Sequence, residues 1–200
     1  PEGEFSPRLR QLGYTVYAIE MSRQGLNPLQ EYASVKRLEM LYREVKPDLV
    51  HHFTVKAVAQ GSLAAKRAGI KHVVNAIAGL GYGFSEDSLK SRSIRRVLVP
   101  VLARALAGTT VIFQNPDDDA TLRGFGALDK SKAFLIKGSG VDVERFAPAR
   151  EPEGDPVVML PGRMLWSKGV GTFANGAEQV RRLMPLARFV LVGPLDEGHP

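Results

Sequence analysis

Cysteine is absent from this 200-residue chain. That excludes disulfide staples, thiolate metal sites and cysteine nucleophiles, and it fits a reducing compartment. Also missing is any run of the roughly 18 apolar residues needed to cross a bilayer. The longest apolar stretch, VLVPVLARALA over Val97–Ala107, is broken by Pro100 and Arg104. No signal peptide is visible, and a chain that opens on Pro1 without Met is expected to have lost its start. Zinc-finger spacing, aromatic–basic RNA motifs and helix-turn-helix patterns are lacking too, so nucleic acid is not an expected partner.

What is present is an ordinary globular balance, 44% hydrophobic and 24% charged, which excludes a disordered chain. The net charge of +6 directs attention to anionic partners such as phosphates or acidic lipid surfaces. The cations are scattered except for Lys90, Arg92, Arg95 and Arg96, and a solvated surface accounts for most of them.

Short β-rich runs alternate with amphipathic helical patterns. Strands are expected over Thr15–Glu20, Asp48–Phe53, His72–Ile77, Thr109–Gln114, Ala133–Lys137, Val157–Pro161 and Arg188–Gly193. Several are nearly continuous apolar runs, the pattern of strands covered on both faces. Helices are expected over Phe5–Leu12 and over Leu29–Val45, where apolar residues recur at helical spacing. Gly69 and Pro47 mark helix ends. Asn115-Pro116-Asp117-Asp118 reads as a helix start, with Asn capping, Pro in the first turn and acids at the positive end of the dipole. The same cap gives Asp117, Asp118 and Asp119 a reason to be there other than holding a metal. Alternating strand and helix means an α/β fold with a mostly parallel sheet.

The Pro- and charge-rich break APAREPEGDP implies a domain over residues 1–146, a linker over 147–156, and the start of a second domain over 157–200. A helix feeds the first strand with no strand before it, and the chain closes where another helix is due. Both domains are therefore expected to be incomplete.

The most informative segment is VVMLPGRMLWSKGV, Val157–Val170. A strand ends at Pro161-Gly162, a loop carries Arg163 and Lys168, and a helix starts near Gly169. Ligands of open parallel sheets bind beyond the carboxyl ends of the strands, where helix N-termini also point. Two cations there can cradle phosphate; equally, they can be plain surface charges.

GRMLWSKGV followed by ARFVLVGPLDEGHP resembles the start of the C-terminal domain of family four retaining glycosyltransferases, which have the GT-B fold. Upstream, PDLVHHFTVKAVAQGSLAAKRAGIKHVVNAIAGLGYGF, IFQNPDDDATLRGFGAL and IKGSGVDVERFAP resemble the branch that builds bacterial surface polysaccharides, in the family's order over nearly the whole chain. The resemblance implies two Rossmann-like domains, the first lacking its opening strand and the second most of its length. It implies hexosyl transfer with retention from a nucleotide-sugar to a saccharide or polyprenyl-linked acceptor, in polysaccharide biosynthesis of the cell envelope. No cofactor and no metal is expected, because Gly162, Arg163 and Lys168 match the residues that bind the donor diphosphate. A cytoplasmic protein is implied, peripheral on the inner face of the plasma membrane, with contact through the segment 88–107, basic early and apolar later. A buried helix kinked at Pro100 is the alternative for that segment. This fragment is expected to be inactive by itself.

On the acceptor side, Gly79 and Gly81 of GLGYG let backbone approach a ligand or simply make a turn. Thr54 and Lys56 follow the strand VHHF and match the branch's pattern, marking them for acceptor or donor contact. Many family members carry a sugar-contacting His in the glycine loop; this chain has none there, only Asn75 on the strand before it. Alternation sends His51 and His52 to opposite faces, so at most one faces the cleft. His52 is the candidate catalytic group, beside the reading of a packed core histidine. Two other functions fit the same architecture: a nucleotide-sugar epimerase, and a non-catalytic nucleotide-sugar-binding module.

Overall fold

The structure is a computed structural model. It describes residues 3–21, 27–80, 84, 89–128, 131–138 and 140–195, and the side chains of 89–91 lie outside that description. The chain forms two compact units, Pro1–Val141 and Asp142–Pro200.

The first unit opens with α1 (Ser6–Gln11) and α2 (Pro28–Val45). Asn27 caps α2, its side chain accepting from the Leu29 N–H at 3.0 Å, with Pro28 pre-set for the first turn. The helix stops at Lys46, left-handed at φ 49°, just before Pro47. Then follow β1 (Leu49–Phe53), α3 (Val55–Ala68), β2 (His72–Ile77), α4 (Leu89–Leu106), β3 (Thr110–Phe113), α5 (Pro116–Gly124) and β4 (Lys132–Leu135). The four strands form one parallel sheet in chain order, β1-β2-β3-β4. Each crossover helix returns the chain, so every strand's carboxyl end lies on the same edge. α3 packs between α2 and α4. Its core is Val58 with Ile77, Leu102, Leu106, Val111, Phe113, Leu122 and Leu128, all at most 2% exposed. Each such side chain contributes about 1.5–3 kcal/mol by leaving water.

Asn115 caps α5 as its sequence suggested: its side-chain oxygen accepts from the Asp118 N–H at 2.8 Å, and its amide donates to the Asp118 carboxylate at 2.8 Å. Asp119 pairs with Arg123 one turn on, at 2.9 Å. One expected element is not formed: Thr15–Glu20 has strand-like composition, yet it takes no ladder partner and stays largely exposed, Tyr17 by 52%. A strand exists only by pairing.

The second unit contains β5 (Val157–Pro161), a short 3-10 turn (Trp166–Lys168), α6 (Val170–Leu183) and β6 (Arg188–Val192), with β5 and β6 parallel. Phe173 of α6 meets Phe189 of β6 edge to face at 5.8 Å. β5 was expected to be covered on both faces; among the described residues α6 is the helix that meets this two-stranded sheet, and Val157, Val158 and Met159 are 54%, 42% and 55% exposed.

Candidate functional site

In the first unit the carboxyl edge of the sheet gathers Thr54, Lys56 and Gly79. Thr54 turns the chain from β1 into α3 at φ 73°. A β-branched residue adopts that conformation only when its surroundings hold it there. Its N–H donates to the Ala76 carbonyl at 3.2 Å, and its own carbonyl accepts from the Val58 N–H at 2.8 Å. No side chain caps this end of α3. Lys56 does not extend into solvent alone: its Nζ donates to Glu31 Oε1 on α2 at 2.7 Å. Gln60, one turn further along α3, donates to the other Glu31 oxygen. Gly79 is exposed just beyond β2. Gly81 lies outside the described residues.

Beneath this edge lie two of the expected site residues, Asn75 and His52. Asn75 was expected to contact a sugar; it is 0% exposed and every polar atom of its side chain is bonded inside. Its Oδ1 accepts from Ser62 Oγ at 2.9 Å and from His52 Nδ1 at 2.8 Å, and its Nδ2 donates to Thr109 Oγ1 at 3.0 Å. The Thr109 hydroxyl passes its own proton to the Leu106 carbonyl at 2.7 Å. His52, the candidate catalytic group, is 7% exposed. With Nδ1–H given to Asn75, its Nε2 accepts from the Tyr42 hydroxyl at 3.0 Å. Both ring nitrogens are thereby occupied in the core, as the reading of a packed histidine expects. Burial holds the His52 imidazole below its ordinary pKa; the Asn75 bond pulls the other way and His51 pushes it further down. Burial also raises the Tyr42 phenol, keeping it a donor. Alternation holds: His51 faces outward against the Phe53 ring at 4.2 Å while His52 faces in.

In the second unit the loop after β5 is braced against the chain leaving β6. Gly162 N–H donates to the Val192 carbonyl at 2.8 Å, and Met164 N–H to the Pro194 carbonyl at 3.1 Å. The two backbones meet so closely that a Cβ on Gly193 would collide with the Gly162 carbonyl. Arg163 and Lys168 are both exposed. Between them Leu165 is buried, 7% exposed, and anchors the loop. The 3-10 turn ends at Gly169, whose φ of 79° requires glycine and which starts α6 with no side-chain cap. The first N–H groups of a helix have no partner within it. The loop therefore presents two cations beyond the carboxyl end of a parallel strand, one of them next in sequence to the positively polarised start of α6.

Sequence reasoning missed Glu31 and Gln60, whose partners are 25 and 29 residues away in the chain. It also missed Tyr42, Ser62 and Thr109, polar residues within apolar patterns whose partnership appears only when strands pair. Among the described residues no helix is long and apolar enough to cross a membrane.

A family profile described as "Glycosyl transferase 4-like" matches residues 2–115. The chain is 28% identical over 212 aligned residues to the N,N'-diacetylbacillosaminyl-diphospho-undecaprenol alpha-1,3-N-acetylgalactosaminyltransferase of Campylobacter jejuni, covering 99% of this chain and 55% of that protein. It is 27% identical over 185 residues to the UDP-Gal:alpha-D-GlcNAc-diphosphoundecaprenol alpha-1,3-galactosyltransferase of Escherichia coli, covering 84% and 46%. The chain thus spans about half the length of the curated relatives it matches. A crystal structure of Acinetobacter baumannii MurG aligns over 98% of this chain and 56% of its own, at 14% identity and a TM-score of 0.44.

Proposed function

This chain belongs to the glycosyl transferase 4-like family, and on that premise we propose that the protein moves a sugar from a nucleotide-sugar donor to a lipid-linked saccharide in polysaccharide biosynthesis. One observation carries the donor half: the loop that holds the exposed Arg163 and Lys168 runs into the start of α6 at Gly169, where no side chain caps the helix. In glycosyl transfer the anomeric C–O bond to the leaving diphosphate breaks while the acceptor hydroxyl oxygen bonds the anomeric carbon and gives up its proton to the departing diphosphate or to water. Negative charge grows on the departing phosphate, so cations fixed there stabilise the transition state more than the ground state. Arg163 grips phosphate through paired N–H groups, and Lys168 acts as a point charge. These cations take the part a divalent metal plays elsewhere, so the reading requires no cofactor. Transfer of a hexosyl group with retention belongs to the same proposal.

The acceptor half rests on the two relatives, whose names specify diphospho-undecaprenol-linked substrates. Thr54, Lys56 and Gly79 at the open edge of the first sheet are the residues proposed to meet acceptor or donor. Membrane contact is assigned to α4, where Arg92 and Arg96 are exposed and Val97 is 70% exposed. Its other face, with Leu102, Ala105 and Leu106 fully buried, holds it to the core.

The test is to incubate a protein that carries this chain over the full length of the curated relatives, of which the chain spans about half, with labelled sugar nucleotides and a polyprenyl-diphosphate-linked saccharide. Label entering the lipid phase is the expected result. Isomerised donor without transfer would instead identify an epimerase, and binding with neither reaction a non-catalytic module.

A further inference from the structure

The chain contains a single tryptophan, Trp166, and it is 73% exposed. It stands three residues after Arg163 and two before Lys168, inside the loop already described. An indole in water forgoes the burial that draws most tryptophans inward. The ring is nevertheless held from below. A Cβ added at Gly171 would lie 2.6 Å from the indole Cζ3 and 3.0 Å from Cε3, so the six-membered edge of the ring rests directly on the backbone of the first turn of α6. Glycine at 171 is what permits that approach. The result is a flat aromatic surface, supported by backbone and flanked in sequence by two cations.

We propose that Trp166 is the platform on which a ring carried by the bound diphosphate, the nucleobase or the transferred sugar, stacks. It thereby makes the site prefer a nucleoside diphosphate to bare pyrophosphate. The inference rests on the reading of Gly162–Gly169 as the diphosphate cradle. Arg163 and Lys168 recognise charge, which pyrophosphate and nucleotide share, so they do not distinguish the two. An aromatic face adds the missing recognition, because every base presents a π-face and a sugar presents polarised C–H groups. Such a platform adds affinity for a ring without choosing one base over another.

Because Trp166 is the sole indole, its emission reports on this surface alone. Fluorescence and calorimetry are followed together as the protein is titrated with pyrophosphate, UDP, GDP and UDP-N-acetylglucosamine. Pyrophosphate is expected to bind without altering the emission, while at least one nucleotide changes it. A change with UDP or GDP identifies the base as the stacked ring; a change confined to the sugar nucleotide identifies the sugar. Trp166→Ala is expected to weaken nucleotide binding by about 5- to 100-fold, the range for loss of one stacked ring, and to leave pyrophosphate affinity within about twofold. Trp166→Phe recovers part of the difference. Nucleotide binding seen by calorimetry with no change in emission, an equal change with pyrophosphate, or an equal loss for both ligands in Trp166→Ala overturns the platform and leaves the cradle standing. No calorimetric binding of any of the four ligands overturns both.

Discussion

The imidazole of His52 donates its Nδ1–H to the side-chain oxygen of Asn75 across 2.8 Å, and the two residues are also direct partners in the β1–β2 register. Two polar residues thus face each other in an otherwise apolar interior. They are tolerated because each donor and acceptor is matched: Tyr42 to His52, His52 and Ser62 to Asn75, and Asn75 to Thr109. The bonds tie α2, β1, α3, β2 and the end of α4 together directly beneath the loops that carry Thr54 and Gly79.

Removing the hub should be costly. Asn75→Ala removes the acceptor of His52 Nδ1–H and Ser62 Oγ and the donor to Thr109 Oγ1 in a buried site, and a loss of about 2–4 kcal/mol is expected. Chemical denaturation of the variant checks this. A loss under about 0.5 kcal/mol, the scale of an ordinary surface substitution, would mean the network is not structural.

The same network implies acid sensitivity. His52 is held below the ordinary imidazole pKa of about 6.5, so below that pH the unfolded chain binds a proton that the folded one refuses. Its contribution to stability is complete above the ordinary value and is lost as pH falls through the depressed folded value. Unfolding free energies measured between pH 7.5 and 5 should fall with acidification, and the fall should be shallower in His52→Gln. Parallel curves for the two proteins would assign the acid sensitivity elsewhere.

At the second site, Gly193→Ala places a methyl against the Gly162 carbonyl, and backbone cannot swing aside as a side chain can. The substitution should destabilise the second unit by about 1–3 kcal/mol and weaken diphosphate binding with it. Unchanged stability and unchanged binding would show that the two loops are not braced in this way.

For α4, vesicle co-sedimentation gives the reading. Binding to vesicles containing anionic lipid should exceed binding to neutral ones and weaken with salt. Arg96→Glu and Val97→Glu should each reduce it. Equal partition to both vesicle types, unaffected by the substitutions, removes this surface as the contact.

Much of the fold was legible because local patterns coincided with tertiary outcomes. The apolar runs HVVNAI and VVMLP became β2 and β5 at their expected limits, and Asn115-Pro116 capped α5 as its chemistry required. Thr15–Glu20 failed because pairing is not a property of a segment. The exposure of β5 was likewise invisible, since an apolar run records what a strand can bury, not what covers it. The loop that carries Arg163 and Lys168 was readable as the turn between β5 and α6, because its geometry is set by consecutive residues. The burial of His52 fits its reading as a packed histidine; the bonds it shares with Asn75 were not legible because the partners sit 10 to 34 positions away, and polar residues on a strand look alike whether they face a ligand or one another.

Whether Gly162–Gly169 holds a nucleoside diphosphate through Arg163 and Lys168 is decided by calorimetric titration of the wild-type protein, Arg163→Ala and Lys168→Ala with UDP and GDP. Binding by the wild type and a loss of about 1–3 kcal/mol in each variant are expected, the scale of a charge-assisted hydrogen bond. Equal affinity in all three folded proteins would contradict it.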